Sequence, residues 1–200
     1  MSRCAAVATG FVLIAVALPA CNGTSQAPPV TGVVQQTPSA ATKIEGFKPA
    51  VGSVMTLGYD ELGSVGAIEL EVREMRDSKG ADVKGLLVRI SESEYKKGQA
   101  FIDADEIPEL LKGIDAILEV NTNPTSFKNF EVRYTTRGAL QFTAFNNSSG
   151  NISYAVQAGR VAEAQKFIDA ADMRKLRAIF VVAQTKLAAA QAKLKPVPAS

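Results

Sequence analysis

The stretch Ile68-Glu-Leu-Glu-Val-Arg73 alternates apolar with charged side chains, and Leu86-Leu-Val-Arg-Ile-Ser91 again places an aliphatic residue at every second position. Between them lie Asp77-Ser-Lys-Gly80, which are turn-forming residues. A period of two is typical of strands with one face in the core and one face toward water, as in antiparallel sheets. The sequence therefore predicts two neighbouring antiparallel strands here.

Further elements are predicted on both sides of this pair, with a strand over Val54–Tyr59, a short strand over Gln99–Ile102 and then a helix. The helix is indicated by Asp103-Ala-Asp-Glu106 and by apolar residues at helical spacing: Ile107, Leu110, Leu111, Ile114 and Ile117. Proline is accommodated in the first helical turn, so Pro108 favours Asp105 over Asp103 as the N-cap. The helix is predicted to end near Glu119.

The same order of elements recurs in the second half of the chain. Strands are predicted over 130–136, 140–145, 152–156 and 166–168, followed by a long helix that begins after Asp169. Phe-Ile-Asp-Ala precedes the helix in both halves, at Phe101 and at Phe167, 66 residues apart. We therefore predict an α+β domain over residues 45–195, built from two β-β-β-β-α repeats (50–119 and 128–194) with antiparallel sheets and helices packed on one side.

The N-terminal sequence has the features of a secretory signal peptide. Arg3 precedes an apolar run over residues 5–18, which is shorter than the roughly 20 residues needed to span a bilayer. The run ends in Leu18-Pro-Ala-Cys21, which resembles the lipobox of bacterial lipoproteins. That resemblance implies removal of residues 1–20 and attachment of lipid to Cys21, which would hold the mature protein on a membrane. Two alternatives are an ordinary signal peptide cut after Ala20 and an uncleaved anchor.

Residues 21–44 are predicted to form a flexible, lipidated linker. They are rich in Pro, Ser, Thr, Gln and Gly and have no periodic apolar face. A flexible chain of this length reaches about 25 Å on average. The alternative is a segment packed on the domain as irregular coil. Asn22 stands where an Asp would resemble a retention signal, which implies an outer-membrane location facing the periplasm.

Composition excludes several kinds of chemistry. The chain has no His and no Trp, and its two cysteines are Cys4 in the leader and Cys21. Ser-His-Asp triads, Cys-His pairs and zinc sites are therefore excluded from the mature domain. Without Arg3 the mature chain has 21 basic and 20 acidic residues, a net charge of +1. Such a balance gives no strong field for a polyanion. We expect no cofactor, no metal and no nucleic-acid partner.

Three features are candidates for function. Arg137, in Tyr134-Thr-Thr-Arg-Gly138, is a candidate for binding an anion, and the alternative is a hairpin end in which Gly138 supplies the turn. Phe145 falls on the polar side of its predicted strand and is a second candidate contact. The acidic cluster Asp103, Asp105, Glu106 and Glu109 is a candidate for metal binding or acid–base catalysis, or it serves only to stabilise a helix N-terminus.

The twofold β-β-β-β-α order resembles the single-stranded nucleic-acid-binding folds of the Whirly, PC4 and Pur groups, in architecture only. Segments over residues 101–187 are also similar to uncharacterised bacterial proteins, which implies no activity. We predict a non-enzymatic envelope lipoprotein whose domain binds a protein or another envelope component, or has a structural role. The alternatives are a carboxylate-dependent envelope hydrolase and a single-stranded nucleic-acid-binding module.

Overall fold

The computed structural model describes residues 41–160 and 163–192. These residues form two four-stranded antiparallel sheets and three helices, which confirms the predicted α+β class. The predicted signal peptide, Cys21, the linker up to residue 40 and the last residues of the second predicted repeat lie outside the described residues. Within the part of the chain that the structure describes, no helix has the length and apolar character needed to cross a membrane.

The first sheet has its four strands in chain order, and each strand pairs with the next. The strands are β1 (Met55–Val65), β2 (Ile68–Asp77), β3 (Asp82–Ser91) and β4 (Lys97–Asp103). The predicted alternation in β2 and β3 is confirmed, because Ile68 lies opposite Ile90 and both are buried. One face of this sheet therefore carries aliphatic side chains into the core.

The second sheet is built in the same way, and a helix follows each sheet. Its strands are β5 (Glu131–Thr135), β6 (Leu140–Asn146), β7 (Ile152–Ala158) and β8 (Ala164–Ile168). The helices are α2 (Ile107–Leu118), after the first sheet, and α3 (Ala170–Ala192), after the second. The order of four strands and a helix thus occurs twice along the chain.

Each of the two long helices packs mainly on the sheet of the other half. The principal sheet contacts of α2 are with β5 and β6 of the second sheet, whereas α3 contacts mainly β1 and β2 of the first. The helices also contact each other, and Arg177 Nη2 of α3 lies 2.7 Å from Asp115 Oδ2 of α2. Both sheets and both helices contribute to one hydrophobic cluster. Each sheet therefore relies on the helix of the other half to cover its apolar face.

Two aromatic contacts fix this arrangement. Phe142 of β6 and Phe180 of α3 are fully buried and meet edge to face, with ring centroids 6.1 Å apart. The ring of Tyr134 lies against Gly113 of α2, where a Cβ would approach it to 2.5 Å. Only glycine fits at this point of α2, so Gly113 allows the helix to lie directly on β5.

A short helix at the start of the described chain corrects two predictions. Helix α1 (Lys43–Gly46) begins with a capping box formed by Thr42 and Glu45, and Thr42 and Ile44 are buried. These residues were assigned to the linker but belong to the packed domain. Ile44 also contacts Gly85 on the face of β3 that points away from the main core. The helices therefore do not all lie on one side of the sheets.

Candidate functional site

The acidic cluster predicted from the sequence lies between β4 and α2, and its buried member holds α1. Asp103 is 2 % exposed. Its Oδ2 accepts the backbone N–H of Lys43 at 2.9 Å, and its Oδ1 accepts the backbone N–H of Ile44 at 3.1 Å. One carboxylate thus satisfies two of the free N–H groups at the N-terminus of α1.

Asp105, predicted to be the N-cap of α2, has a different role, so that prediction is wrong. Glu106 is the N-cap residue, and it makes no side-chain cap hydrogen bond. Asp105 instead accepts from Lys43 Nζ at 2.7 Å and from Arg137 Nη2 at 2.9 Å. Pro108 lies in the first turn as predicted. The side chains of the acidic residues before α2 therefore bind groups from other elements and make no cap hydrogen bond to their own helix.

Arg137 lies in the turn between β5 and β6, above the acidic cluster. Its guanidinium group lies 3.4 Å from Glu106 Oε2 and 3.7 Å from Asp103 Oδ2, in addition to its bond with Asp105. Its backbone N–H donates to Glu106 Oε1 at 2.6 Å, and its carbonyl oxygen accepts from Arg160. A Cβ at Gly138 would overlap the carbonyl oxygen of Phe101. The turn is therefore fastened to the first half through both its backbone and its side chain.

The surroundings of Asp105 and Arg137 favour the ionised form of both side chains. The hydrogen bond from Lys43 lowers the pKa of Asp105 below its ordinary value, with a further contribution from Arg137, while burial acts in the opposite direction. Burial alone would lower the pKa of Arg137, but the hydrogen bond to Asp105 and the negative charges of the acidic cluster together raise that pKa above its ordinary value. We conclude that Asp105 is ionised near neutral pH and is a poor proton donor there.

The residues that sequence reasoning missed in this cluster are Lys43, Glu45 and Arg160. Arg160 Nη2 lies 3.4 Å from Glu45 Oε2, which connects the end of β7 to α1. The two residues joined by such a contact are 60 to 115 positions apart in the sequence. No local pattern points to them, since each is one charged residue in a segment with no periodic signal.

The cluster does not have the arrangement of a metal site. Among residues 41–160 and 163–192, no group of three or more His, Cys, Asp or Glu side chains is placed to hold a metal ion. The carboxylates of Asp103, Asp105 and Glu106 point toward basic groups and backbone N–H groups. The arrangement joins α1, the start of α2 and the β5–β6 turn.

Phe145 lies on the face of the second sheet that points away from the core. Its neighbours Phe142 and Ala144 alternate with it, and Ala144 lies in the core cluster. The ring of Phe145 meets that of Phe167 edge to face at 6.0 Å between centroids, and Phe167 is 70 % exposed. We call these two residues the aromatic pair. The sequence alone does not single out Phe167, because this residue belongs to the repeated Phe-Ile-Asp-Ala and the repeat already accounts for it.

A groove of about 630 Å³ opens between the halves beside α1. Its charged lining residues are Glu45, Glu69, Arg89, Lys97 and Arg160. Arg89 Nη1 is also 2.9 Å from Glu71 Oε2. Because both signs of charge line the groove, it offers no uniform field for a polyanion.

Comparison with known proteins identifies no relative. No protein-family model, curated protein or solved structure matches the chain.

Replacing Asp103 by Ala should release α1 from the domain. The two backbone N–H groups at Lys43 and Ile44 would lose their acceptor, which costs about 1–3 kcal/mol in the free energy of unfolding. Chemical denaturation measures the loss, and hydrogen exchange at residues 43–46 locates it. The matched control is Glu109→Gln, which removes a carboxylate that binds Lys112 within α2. Unchanged exchange in α1 of Asp103→Ala would contradict this role.

The stability of the domain should depend on pH through Asp105. Its pKa is lowered by folding, so its contribution is present above the ordinary carboxyl pKa of about 3.9 and is lost as pH falls through the folded value. We expect Asp105→Asn to cost at most about 1 kcal/mol at pH 6, because its ion pairs are solvent-exposed. Unfolding by urea at a series of pH values should show the variant and the wild type converging as pH falls below the ordinary carboxyl pKa of about 3.9. A constant difference over this range would be inconsistent with the ion pairs.

Proposed function

We propose that this protein is an envelope lipoprotein, anchored through lipid on Cys21 and facing the periplasm from the outer membrane. The support is the short apolar run that ends at Leu18-Pro-Ala-Cys21 and the polar, Pro- and Ser-rich stretch that follows. Thr42 is the first of the described residues to be buried in the domain, and about 20 residues lie between it and Cys21 in the sequence. Such a spacer gives the domain room to reach a partner near the membrane surface.

We further propose that the domain binds an envelope component and does not catalyse a reaction. The observation that carries this proposal is the aromatic pair, because two phenylalanine rings lie together on an outer sheet face where alternation calls for polar side chains. Aromatic side chains are enriched in protein–protein interfaces, and here Phe167 is exposed while Phe145 is half-buried beneath it. Gln157, on the same face of β7, and Ser153, opposite Phe145, supply polar groups around the rings.

The alternative functions have less support. A carboxylate hydrolase would need an acid and a base of separated pKa. The best acidic candidates, Asp103, Asp105 and Glu106, are engaged by basic and backbone groups. A single-stranded nucleic-acid binder would use exposed rings together with a basic groove, and the groove beside α1 carries both signs of charge.

We also propose that the two halves arose by duplication of one β-β-β-β-α unit. The support is that Phe-Ile ends the fourth strand of each half and an aspartate precedes the helix: Asp103 is the last residue of β4, and Asp169 directly follows β8. The two aspartates then differ in use. Asp103 binds the backbone of α1, whereas Asp169 Oδ1 accepts the N–H of Asp172 in the first turn of α3. On this proposal the first copy gave up its cap when its aspartate became the acceptor for α1.

The lipid anchor is tested at the mature N-terminus. Mass spectrometry of protein purified from membranes should find Cys21 as the first residue, carrying acyl chains. Cys21→Ser should leave the protein unacylated and no longer held on membranes after cleavage, whereas Cys4→Ser should behave as the wild type because Cys4 leaves with the leader. An unmodified Cys21 or an intact leader in the wild type would contradict the proposal.

The binding surface is tested by crosslinking in membranes followed by purification of the tethered protein. We expect one stoichiometric partner, and Phe145→Ala or Phe167→Ala should weaken its binding about 30-fold or more if the rings form a hot spot. Phe127→Ala is the matched control, because Phe127 is 79 % exposed and lies outside the sheets. Equal recovery with all three variants would contradict the assignment of the surface, and recovery of no partner would contradict a binding role.

A further inference from the structure

The outer edge of the first sheet is a long strand with exposed apolar side chains. β1 has eleven residues, and nearly all of them are exposed. Met55, Leu57 and Tyr59 are 49 %, 41 % and 66 % exposed and share one face of the strand. We call the segment 54–59 the free edge.

The backbone of the free edge has hydrogen-bonding groups that point away from the sheet. The N–H of Ser78 donates to the carbonyl oxygen of Val54 at 2.9 Å, so Val54 directs its backbone toward β2. Because backbone direction alternates along an antiparallel strand, Met55, Leu57 and Tyr59 direct theirs away from β2. The same three residues thus carry exposed side chains and outward backbone groups.

The opposite outer edge of the domain is protected in ways that the free edge is not. β5, at the edge of the second sheet, has only five residues and presents Glu131 and Arg133. Short length and charged side chains are the usual means of preventing edge-to-edge pairing. The free edge, Val-Met-Thr-Leu-Gly-Tyr, has no charge and no proline. Among the residues that the structure describes, β1 therefore carries no feature that prevents pairing, whereas β5 carries two.

We propose that the free edge pairs with the free edge of a second copy of this chain. The two strands run antiparallel about a twofold axis that passes through Leu57, which places Met55 of one copy opposite Tyr59 of the other. The interface is isologous, as in most symmetric dimers. It joins the two first sheets into one continuous eight-stranded sheet.

The charges of β1 select this register. An alternative twofold axis through Asp60 would let all eleven residues of β1 pair. It would also place Asp60 of one copy opposite Asp60 of the other, and like charges directly opposite each other are destabilising. The strand also changes register between Glu61 and Gly63, which interrupts regular pairing beyond that point. Centring on Leu57 keeps Asp60 and Glu61 outside the apolar pairs. The three outward-directed residues then face only one another.

The dimer should be weak and concentration-dependent. A pair of six-residue strands buries less than the roughly 1,200–2,000 Å² of a standard stable interface. The pairing does not require the lipid anchor, and it uses the first sheet, whereas the aromatic pair lies on the second. Its failure is therefore separate from failure of the proposed function.

Disulfide crosslinking of the full chain in membranes tests the register. Leu57→Cys should form a disulfide with its own copy, because opposed residues of an antiparallel pair have Cα atoms about 4.5–5.5 Å apart, within disulfide range. Tyr59→Cys should not, because its two copies would be separated by four residues along the strands. Thr135→Cys, on the protected edge, reports random collision. The wild type reports any free thiol at Cys21.

The proposal predicts at least about tenfold more dimer with Leu57→Cys than with Tyr59→Cys or Thr135→Cys. Equal yields from the three variants would overturn it, and a self-crosslink from Tyr59→Cys alone would overturn the register. Capture of a different protein by Leu57→Cys, without a self-crosslink, would assign the edge to a foreign strand. That result would also overturn pairing between copies.

Sedimentation of the purified full chain in detergent provides a second measurement, which needs no cysteine. The wild type should show a concentration-dependent dimer. Leu57→Lys should weaken association at least about tenfold, because two ammonium groups would lie opposite each other at the twofold axis. Thr135→Lys, an exposed substitution on the protected edge, should leave association unchanged. A wild type that remains monomeric at the highest concentration would overturn the proposal.

Discussion

The exchange of helices between the halves is the constraint on which the rest of the structure depends. α2 follows the first sheet but packs on β5 and β6, and α3 follows the second sheet but packs on β1 and β2. A four-stranded sheet with one bare apolar face is not stable in water, so neither half can bury its core without the other. The single hydrophobic cluster is the result, and it obliges the turns of one half to lie close to the strands of the other.

The cluster of charges around Asp103 is a consequence of that closeness. The β5–β6 turn approaches the end of β4 so tightly that Gly138 has no room for a side chain, and this brings Arg137 to the acidic residues before α2. α1 then uses the same carboxylates from the other side. A buried carboxylate needs partners that satisfy its charge, and here α1 and the β5–β6 turn supply them. Acidic residues that suggest a helix cap or a catalytic site in the sequence thus act as a joint between segments.

The sequence predicts most of the regular elements, because their patterns are local. β2 and β3 follow from a period of two, and α3 follows from the spacing of Met173, Leu176 and Phe180, all of which are buried. The four-residue helix α1 was missed because one turn is too short to show a period, and its stability comes from Asp103, which is 60 residues away. The exchange of helices could not be predicted either, since an amphipathic pattern shows that a face is buried but not which sheet covers it. The sequence singles out Arg137 as a candidate, but it does not identify the carboxylates that Arg137 contacts.

Apolar residues outside the core are difficult to recognise from periodicity, and they are the candidates for binding surfaces. Periodicity places Phe145 on the polar face of β6, and this was enough to single it out. It does not separate Leu57 from a core residue, because Val54–Tyr59 alternates like any half-buried strand. What distinguishes Leu57 is its exposed position on the outer edge strand of the first sheet, on the face that points away from the core. Since the free edge and the aromatic pair belong to different sheets, two copies can pair along β1 while the second sheet of each remains open to a partner. Self-association would then present two aromatic pairs per dimer, and a ligand with repeated binding sites would be bound more tightly than either domain alone could hold it.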